Sequence, residues 1–550
     1  MVTQKKKSKK SKKFKNKSKS NKLTLSKQEI KARKRQFNKE LKKFISTAGG
    51  IAAIAALMGV ALFFVANEKL AIAGGGGILV MALSYLYPSP GLWAFLIYLP
   101  FSGTVTYWIG GGNIIFQLAK DGFYLPAFYA MFQEWKRKRK PFIVSQAIKQ
   151  PLYILITFCI ITLLLVNGVQ QFSSEPVFDN GVQINEKPII MGILGLKVLL
   201  GYIPLLPCAF YQIKGKKELL FLTRMTLVLA IICCLLGVVQ YQFLASGRCQ
   251  GTDHLTGDDL FKATIDAKCL VGGSLVFSPS QNMIRLPGTF VAPWQWAWFL
   301  ISNAFFTFAT AFSDPSPLWR MAGLGGMALV FVNAVISGQR IALALVPLVI
   351  VILLILTGQV TNLKRFVPIA AGLGVILSIA IIANPAIVQE RVDSFVSRWQ
   401  ASPPTEFIAE QFEFTTEGQQ GIFGKGIGRA TNSARAFGKT KLIETYYPKL
   451  IYEIGPLGTI AFLSLVTAIT TSTFKAYRSV KDKNIRSFGA SFWVFVLIIS
   501  YNTYYYPLDV DPVAVYYWYF VGVIYRLPDI DRQEQKRLQA EAELENGKSG

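Results

Sequence analysis

Three residues in this chain combine a chemically useful side chain with a telling position. Arg285 lies in "MIRLPGTFVAP", Arg340 in "VISGQRIALAL" and Glu444 in "KLIETYYPKLIYEIGPLG". An arginine carries a permanent charge on a planar fork that binds phosphate oxygens in pairs. A carboxylate takes a proton from an attacking hydroxyl when it lies within hydrogen-bond reach. Two arginines and a carboxylate therefore suit transfer of a group from a diphosphate to a hydroxyl. Each residue also has a plainer reading. An arginine at the end of an apolar run serves as an anchor at a membrane surface, and a loop glutamate is ordinarily solvated. The glycine-rich stretch Gly424–Gly428 lacks the strand–helix context of a phosphate-binding loop and reads as a flexible hinge. Arg429, a further candidate for substrate binding, and Arg435 follow it and extend the cationic surface.

The elements that must position these residues are apolar helices. The chain has 550 residues, 52% hydrophobic and 16% charged, with several apolar runs of membrane-spanning length. Soluble domains are less apolar and closer to a quarter charged, and a helix needs about 20 apolar residues to cross a bilayer. The expected fold is an all-α polytopic membrane protein of about 12–14 transmembrane helices, with a large external loop between late helices. With the basic N-terminus placed in the cytoplasm, the short basic loops all fall on the same side: "WKRKRK", Lys214 with Lys216 and Lys217, "TNLKR" and "KAYRSVKDKNIR". That agreement is the positive-inside rule satisfied by loops that were not used to set the orientation.

The chain then divides into a basic disordered cytoplasmic tail (1–44), N-terminal transmembrane helices (45–244), an external loop (245–289) and central transmembrane helices (290–383). A large external, periplasmic loop (384–450), C-terminal transmembrane helices (451–525) and a cytoplasmic tail (526–550) follow. Arg285, Arg340 and Glu444 all fall on the outer face in this arrangement. The net charge of +28 is concentrated in the first tail. Its composition cannot bury a core, and its basic residues suit anionic membrane lipids, at about 1 kcal/mol each near the surface. It has no aromatic interleaving of the kind that nucleic acid would call for.

Four of the six cysteines, Cys159, Cys208, Cys233 and Cys234, lie in apolar runs. Cys249 and Cys269 share the first external loop, where an oxidising compartment would permit a disulfide. The single histidine, His254, reads as a solvated loop residue, and no Cys or His spacing suggests a metal site. Lys120 and Asp121 fall inside an expected span, as a functional or a structural ion pair.

Taken in order, these stretches resemble the O-antigen ligase/polymerase family of bacterial polysaccharide assembly. The match rests on an R-x-x-G-T-F stretch (Arg285, Gly288, Thr289, Phe290) and an S-x-x-R stretch (Ser337, Arg340). It continues with G-x-G-x-G (Gly424, Gly426, Gly428) and a loop end carrying Glu444, Thr445, Tyr447, Glu453, Gly455 and Gly458. It covers roughly residues 277–474. The tail, the length and "ETYYPKLIYEIGPLG" are similar, more narrowly, to hormogonium polysaccharide biosynthesis proteins of cyanobacteria. One position departs from the pattern: Glu444 stands where these ligases commonly carry histidine.

The resemblance implies a metal-independent, cofactor-free glycosyl transfer at the outer face of the inner membrane; the count of basic loops places both termini in the cytoplasm. The donor would be a glycan on undecaprenyl diphosphate. Arg285 and Arg340 would hold the diphosphate, and Glu444 would activate the acceptor hydroxyl. Other polysaccharide assembly proteins would be partners. Two rival readings are a transporter or flippase of lipid-linked sugar and a non-catalytic scaffold of an export complex. Transporters commonly show internal repeats and broken helices at mid-membrane; the two halves of this chain show no such repeat.

Overall fold

The computed structural model describes residues 27–173, 177–179, 182–260, 263–279, 283–359, 389, 393, 396–397, 403–417 and 421–546. Among the described residues, fifteen α-helices of eight residues or more carry the architecture: α1 (Lys27–Val65), α2 (Glu68–Leu86), α3 (Pro88–Tyr98), α4 (Ala119–Arg137), α5 (Lys149–Ile161), α6 (Pro188–Leu200), α7 (Leu205–Gln212) and α8 (Lys216–Ala245). They continue as α9 (Pro293–Ser313), α10 (Pro317–Ile336), α11 (Arg340–Leu356), α12 (Pro404–Glu417), α13 (Tyr446–Arg478), α14 (Lys483–Tyr501) and α15 (Val513–Asn546). Among the described residues, eight helical segments are long and apolar enough to cross a membrane, and α11 is a shorter apolar helix. This is the composition of an all-α, multi-pass membrane protein. The end of the expected central helices (360–383), most of 384–402 in the large loop and residues 1–26 of the tail lie outside the described residues.

The chain forms two compact units, 1–83 and 84–550. In the first, small residues let helices approach. A Cβ on Gly75 would come within 2.8 Å of the Ala55 carbonyl oxygen, the close backbone contact that small residues permit between membrane helices.

The second unit is organised on α9, almost every residue of which is buried. Pro293 starts it at a position where a missing N–H costs nothing. Helices α8, α10, α11 and α14 pack around it. Phe306 stacks on Phe520 of α15 at 4.3 Å between ring centres and meets Phe495 of α14 at 5.3 Å. Serine, threonine and asparagine on α9 donate back to carbonyls one turn earlier, as Thr307 does to Asn303 at 2.6 Å. This hides their polarity inside the helix. Asp482 caps α14 by accepting from the backbone N–H groups of Asn484 and Ile485.

Several expectations change. Residues 27–44, expected to be disordered with the tail, continue α1 without a break; lysine, arginine, glutamine and glutamate favour helix strongly. Residues 526–546, expected as a tail, extend α15. Within the expected N-terminal transmembrane helices, residues 88–109 form one continuous helical run in which α3 passes through a 3-10 turn at Leu99–Phe101 into a π-helix at Thr104–Ile109. Gly103 is the reason for the close approach there: a Cβ would come within 2.3 Å of Phe290. Lys120 and Asp121 do not pair with each other, since adjacent residues on a helix point apart. Lys120 pairs with Asp511 and Asp121 with Lys197.

Candidate functional site

Residues 245–289 are drawn together by a disulfide between Cys249 and Cys269, with Cα atoms 5.6 Å apart. His254 is exposed in this segment. Its last part is an antiparallel hairpin of β3 (Val276–Ser278) and β4 (Met283–Arg285), the second such pair after β1 (Val177–Asp179) and β2 (Val182–Ile184). Arg285 ends β4, and the next residue reaches the α10–α11 junction: Leu286 N–H donates to the Ser337 carbonyl at 3.0 Å. Gly338 follows with φ +69, and a Cβ there would lie 3.0 Å from Met283 Sδ and 3.4 Å from Arg285 Cα. Glycine is therefore required on both counts, conformation and space. Arg340 begins α11 two residues on. The backbone thus brings the two sequence-predicted arginines to adjoining strands of the chain, although 55 positions separate them (340 − 285).

Glu444 acts on Arg285 electrostatically, and its backbone is held from two sides. Its N–H donates to Gln411 Oε1 of α12 at 3.0 Å, and its carbonyl accepts from Tyr505 N–H at 3.1 Å. Thr445 pairs with Tyr504 as an antiparallel bridge, and Tyr446 N–H donates to the Thr503 carbonyl at 2.6 Å. The segment before α13 is therefore stitched to the turn between α14 and α15. Burial pushes the Arg285 guanidinium below the usual arginine range, with Tyr505, Glu444 and Tyr506 acting in the opposite direction. Arginine stays charged under such a shift. Arg285, Glu444, Tyr505 and Tyr506 are thus one electrostatic group. Arg285 Nε, Gln339 Nε2 and Thr445 Oγ1, which belong to the segments just described, are buried without a hydrogen-bond partner. Buried polar groups are nearly always satisfied, so each is open to an acceptor.

Arg429 takes another position. Its Nη1 donates to Glu186 Oε2 at 2.7 Å, and its Nε and Nη2 donate to Gln170 Oε1 at 3.1 and 2.8 Å. This holds the 421–441 segment against Gln170 and Glu186. The Gly424–Gly428 stretch, expected to be a flexible hinge, is instead a packed and hydrogen-bonded dock. Asn167 Nδ2 donates to the Ile427 carbonyl and Asn167 Oδ1 accepts from Ile427 N–H, each at 2.9 Å. Glu453, buried, accepts from Ala430 N–H at 2.7 Å and from Thr431 Oγ1 at 2.9 Å. The α13 chain kinks at Gly455 (φ +73), where a Cβ would meet the Ile422 carbonyl oxygen at 2.0 Å.

The sequence reading missed Gln339, Gln411, Tyr505 and Tyr506. "NTYYYPLDVDP" carried a signal, three successive tyrosines before a proline between two apolar runs, but aromatic belts at membrane surfaces look the same. Compared with known proteins, the chain matches no family model and no curated protein sequence. The class that the fold defines is a multi-pass membrane protein.

Proposed function

We propose that the protein is a glycan polymerase or ligase that moves a polysaccharide unit from a polyprenyl diphosphate to an acceptor hydroxyl at the outer face of the inner membrane. The observation that carries this reading is the joining of Arg285 to the Ser337–Arg340 junction, with Glu444 acting electrostatically on Arg285. The acceptor oxygen attacks the anomeric carbon, the bond from that carbon to the diphosphate oxygen breaks, and Glu444 takes the hydroxyl proton. Undecaprenyl diphosphate leaves with the bonding electron pair. Arg285 and Arg340 bind the diphosphate and stabilise the charge that develops on it. Fixed cations do this without metal or cofactor. The orientation, with both termini cytoplasmic, is supported by the disulfide in the Arg285 segment, because disulfides persist in oxidising compartments.

The test is a deletion strain complemented with Arg285→Ala, Arg340→Ala or Glu444→Ala, with sizing of the exported polysaccharide. The expected result is loss of long polymer in all three. Accumulated lipid-linked single repeats identify a polymerase; accumulated finished polymer on its lipid identifies a ligase. Full-length polymer from all three variants overturns the reading.

A further inference from the structure

Cys249 and Cys269, bonded across 20 positions of sequence, belong to a small apolar cluster separate from the main core. Cys269, Leu275 and Leu286 form its centre, and Cys249, Ile284 and Ile336 pack against it. Ile284 and Leu286 are the two chain neighbours of Arg285, and Ile336 ends α10 just before Ser337. The disulfide is therefore packed among the residues that flank Arg285 and the residue that enters the α10–α11 junction.

Hydrogen bonds lead from the disulfide to the same place. Gln240, buried near the end of α8, donates from Nε2 to the Cys269 carbonyl at 3.0 Å and to the Gly288 carbonyl at 3.1 Å. Gly288, with φ +56, lies in the turn that follows Arg285. A Cβ on Gly272 would come within 1.8 Å of the Gly288 oxygen, and Gly273 N–H donates to the Phe290 carbonyl at 2.8 Å. Residues 269–273 thus cannot shift without moving residues 286–290. On the Cys249 side, Thr252 N–H donates to the Leu275 carbonyl at 3.0 Å, and Thr252 Oγ1 accepts from Phe277 N–H of β3 at 2.8 Å. Both halves of the disulfide are tied to the hairpin that carries Arg285.

The two cysteines differ in access. Cys269 is buried, whereas Cys249 is half-buried between exposed Arg248 and Gln250. The described free cysteines, Cys159, Cys208, Cys233 and Cys234, are all buried, so thiol exchange begins at Cys249. The thiolate of an exchange partner attacks the Cys249 sulfur and the S–S bond breaks. Cys269 leaves with the bonding pair and takes a proton. The partner's second thiol then displaces Cys249, which leaves as a thiol. Two cysteine thiols and one partner disulfide result, and oxidation is the reverse.

We propose that this disulfide is a redox switch on diphosphate binding: bonded, it holds Arg285 at the α10–α11 junction; opened by a dithiol exchange partner, it lets the Arg285 strand shift away. The inference rests on the transferase reading of the site. It makes transfer wait until this segment has reached an oxidising compartment, where disulfides persist.

The test titrates undecaprenyl diphosphate into the full chain in nanodiscs. The protein is taken oxidised, then reduced with dithiothreitol, then reoxidised with oxidised glutathione, and amide exchange is followed in each state. Reduction should weaken binding about ten-fold and speed exchange over residues 283–290, with exchange in α13 and α14 unchanged. Reoxidation should restore both. The double variant Cys249→Ser with Cys269→Ser should bind as weakly as the reduced protein and ignore the reductant; if it does not fold, reduction of the wild type decides. Equal affinity in both states overturns the inference and leaves the transferase reading standing. A loss that reoxidation does not restore, or faster exchange throughout the helices, also overturns it, because either marks a bond that only keeps the chain folded. Absence of binding by the oxidised protein overturns the transferase reading, and the inference with it.

Discussion

The glycine dock and the arginine site lie in the same unit and follow opposite rules. In the dock, every polar group named above is matched. Asn167 uses both ends of its amide, Glu453 accepts two bonds, and Arg429 binds Glu186 and Gln170. Its glycines have positive φ, and at Gly424 and Gly428 the chain also passes other backbone too closely for a Cβ. At the arginine site, donors on Arg285 and Gln339 are buried without partners, and the strained residues are Tyr505 (φ +55) and Tyr506 (φ +31), for which the left-handed region is costly. Satisfied hydrogen bonds and glycine-borne turns mark a scaffold. Unsatisfied donors and strain on bulky residues mark a place where something else is to bind.

The contrast breaks if mutations in the two regions have the same kind of effect. Arg285→Ala should reduce transfer about 1,000-fold, roughly 4 kcal/mol of transition-state stabilisation, with little change in thermal midpoint; transfer assays and melting curves on the purified protein report both. Asn167→Ala should do the reverse. Losing its bonds to Ile427 and Pro188 should destabilise by about 2–4 kcal/mol and lower the melting midpoint, with kcat of the folded fraction preserved. Arg429→Ala should follow the same pattern at about 1–3 kcal/mol, since it leaves Glu186 with one fewer charged partner. Gln339→Leu removes an amide whose Nε2 is unpartnered and should sit within about 1 kcal/mol of wild type in stability. It should nonetheless weaken undecaprenyl diphosphate binding several-fold, read by titration in nanodiscs.

Sequence reasoning reached the class of fold and the pairing of two distant motifs. Apolar length determines that helices form, and Arg285 and Arg340 stand out because charge at the end of an apolar run needs a reason. It did not reach the dock. Nothing in "GKGIG" says that Asn167, some 260 positions away, closes on Ile427; the stretch therefore reads as a hinge until its partners are seen. Arg429 looked like a ligand arginine for the same reason, since Glu186 is invisible as its partner in a linear chain. Tyr505 and Tyr506 escaped because φ is not written in sequence, and tyrosine is common where helices meet a membrane surface. The helical 27–44 segment was misread from composition alone: charge forbids a core, but it does not forbid a helix continuing into an apolar run.

The central claim is that Arg285 and Arg340 hold one diphosphate between them. A double-mutant cycle on undecaprenyl diphosphate binding tests it directly, using wild type, Arg285→Ala, Arg340→Ala and the double variant in nanodiscs. Shared ligation predicts that each single variant loses most of the affinity and that the double loses little more, a coupling of about 1–3 kcal/mol. Strictly additive losses, or wild-type affinity in either single variant, would contradict the account.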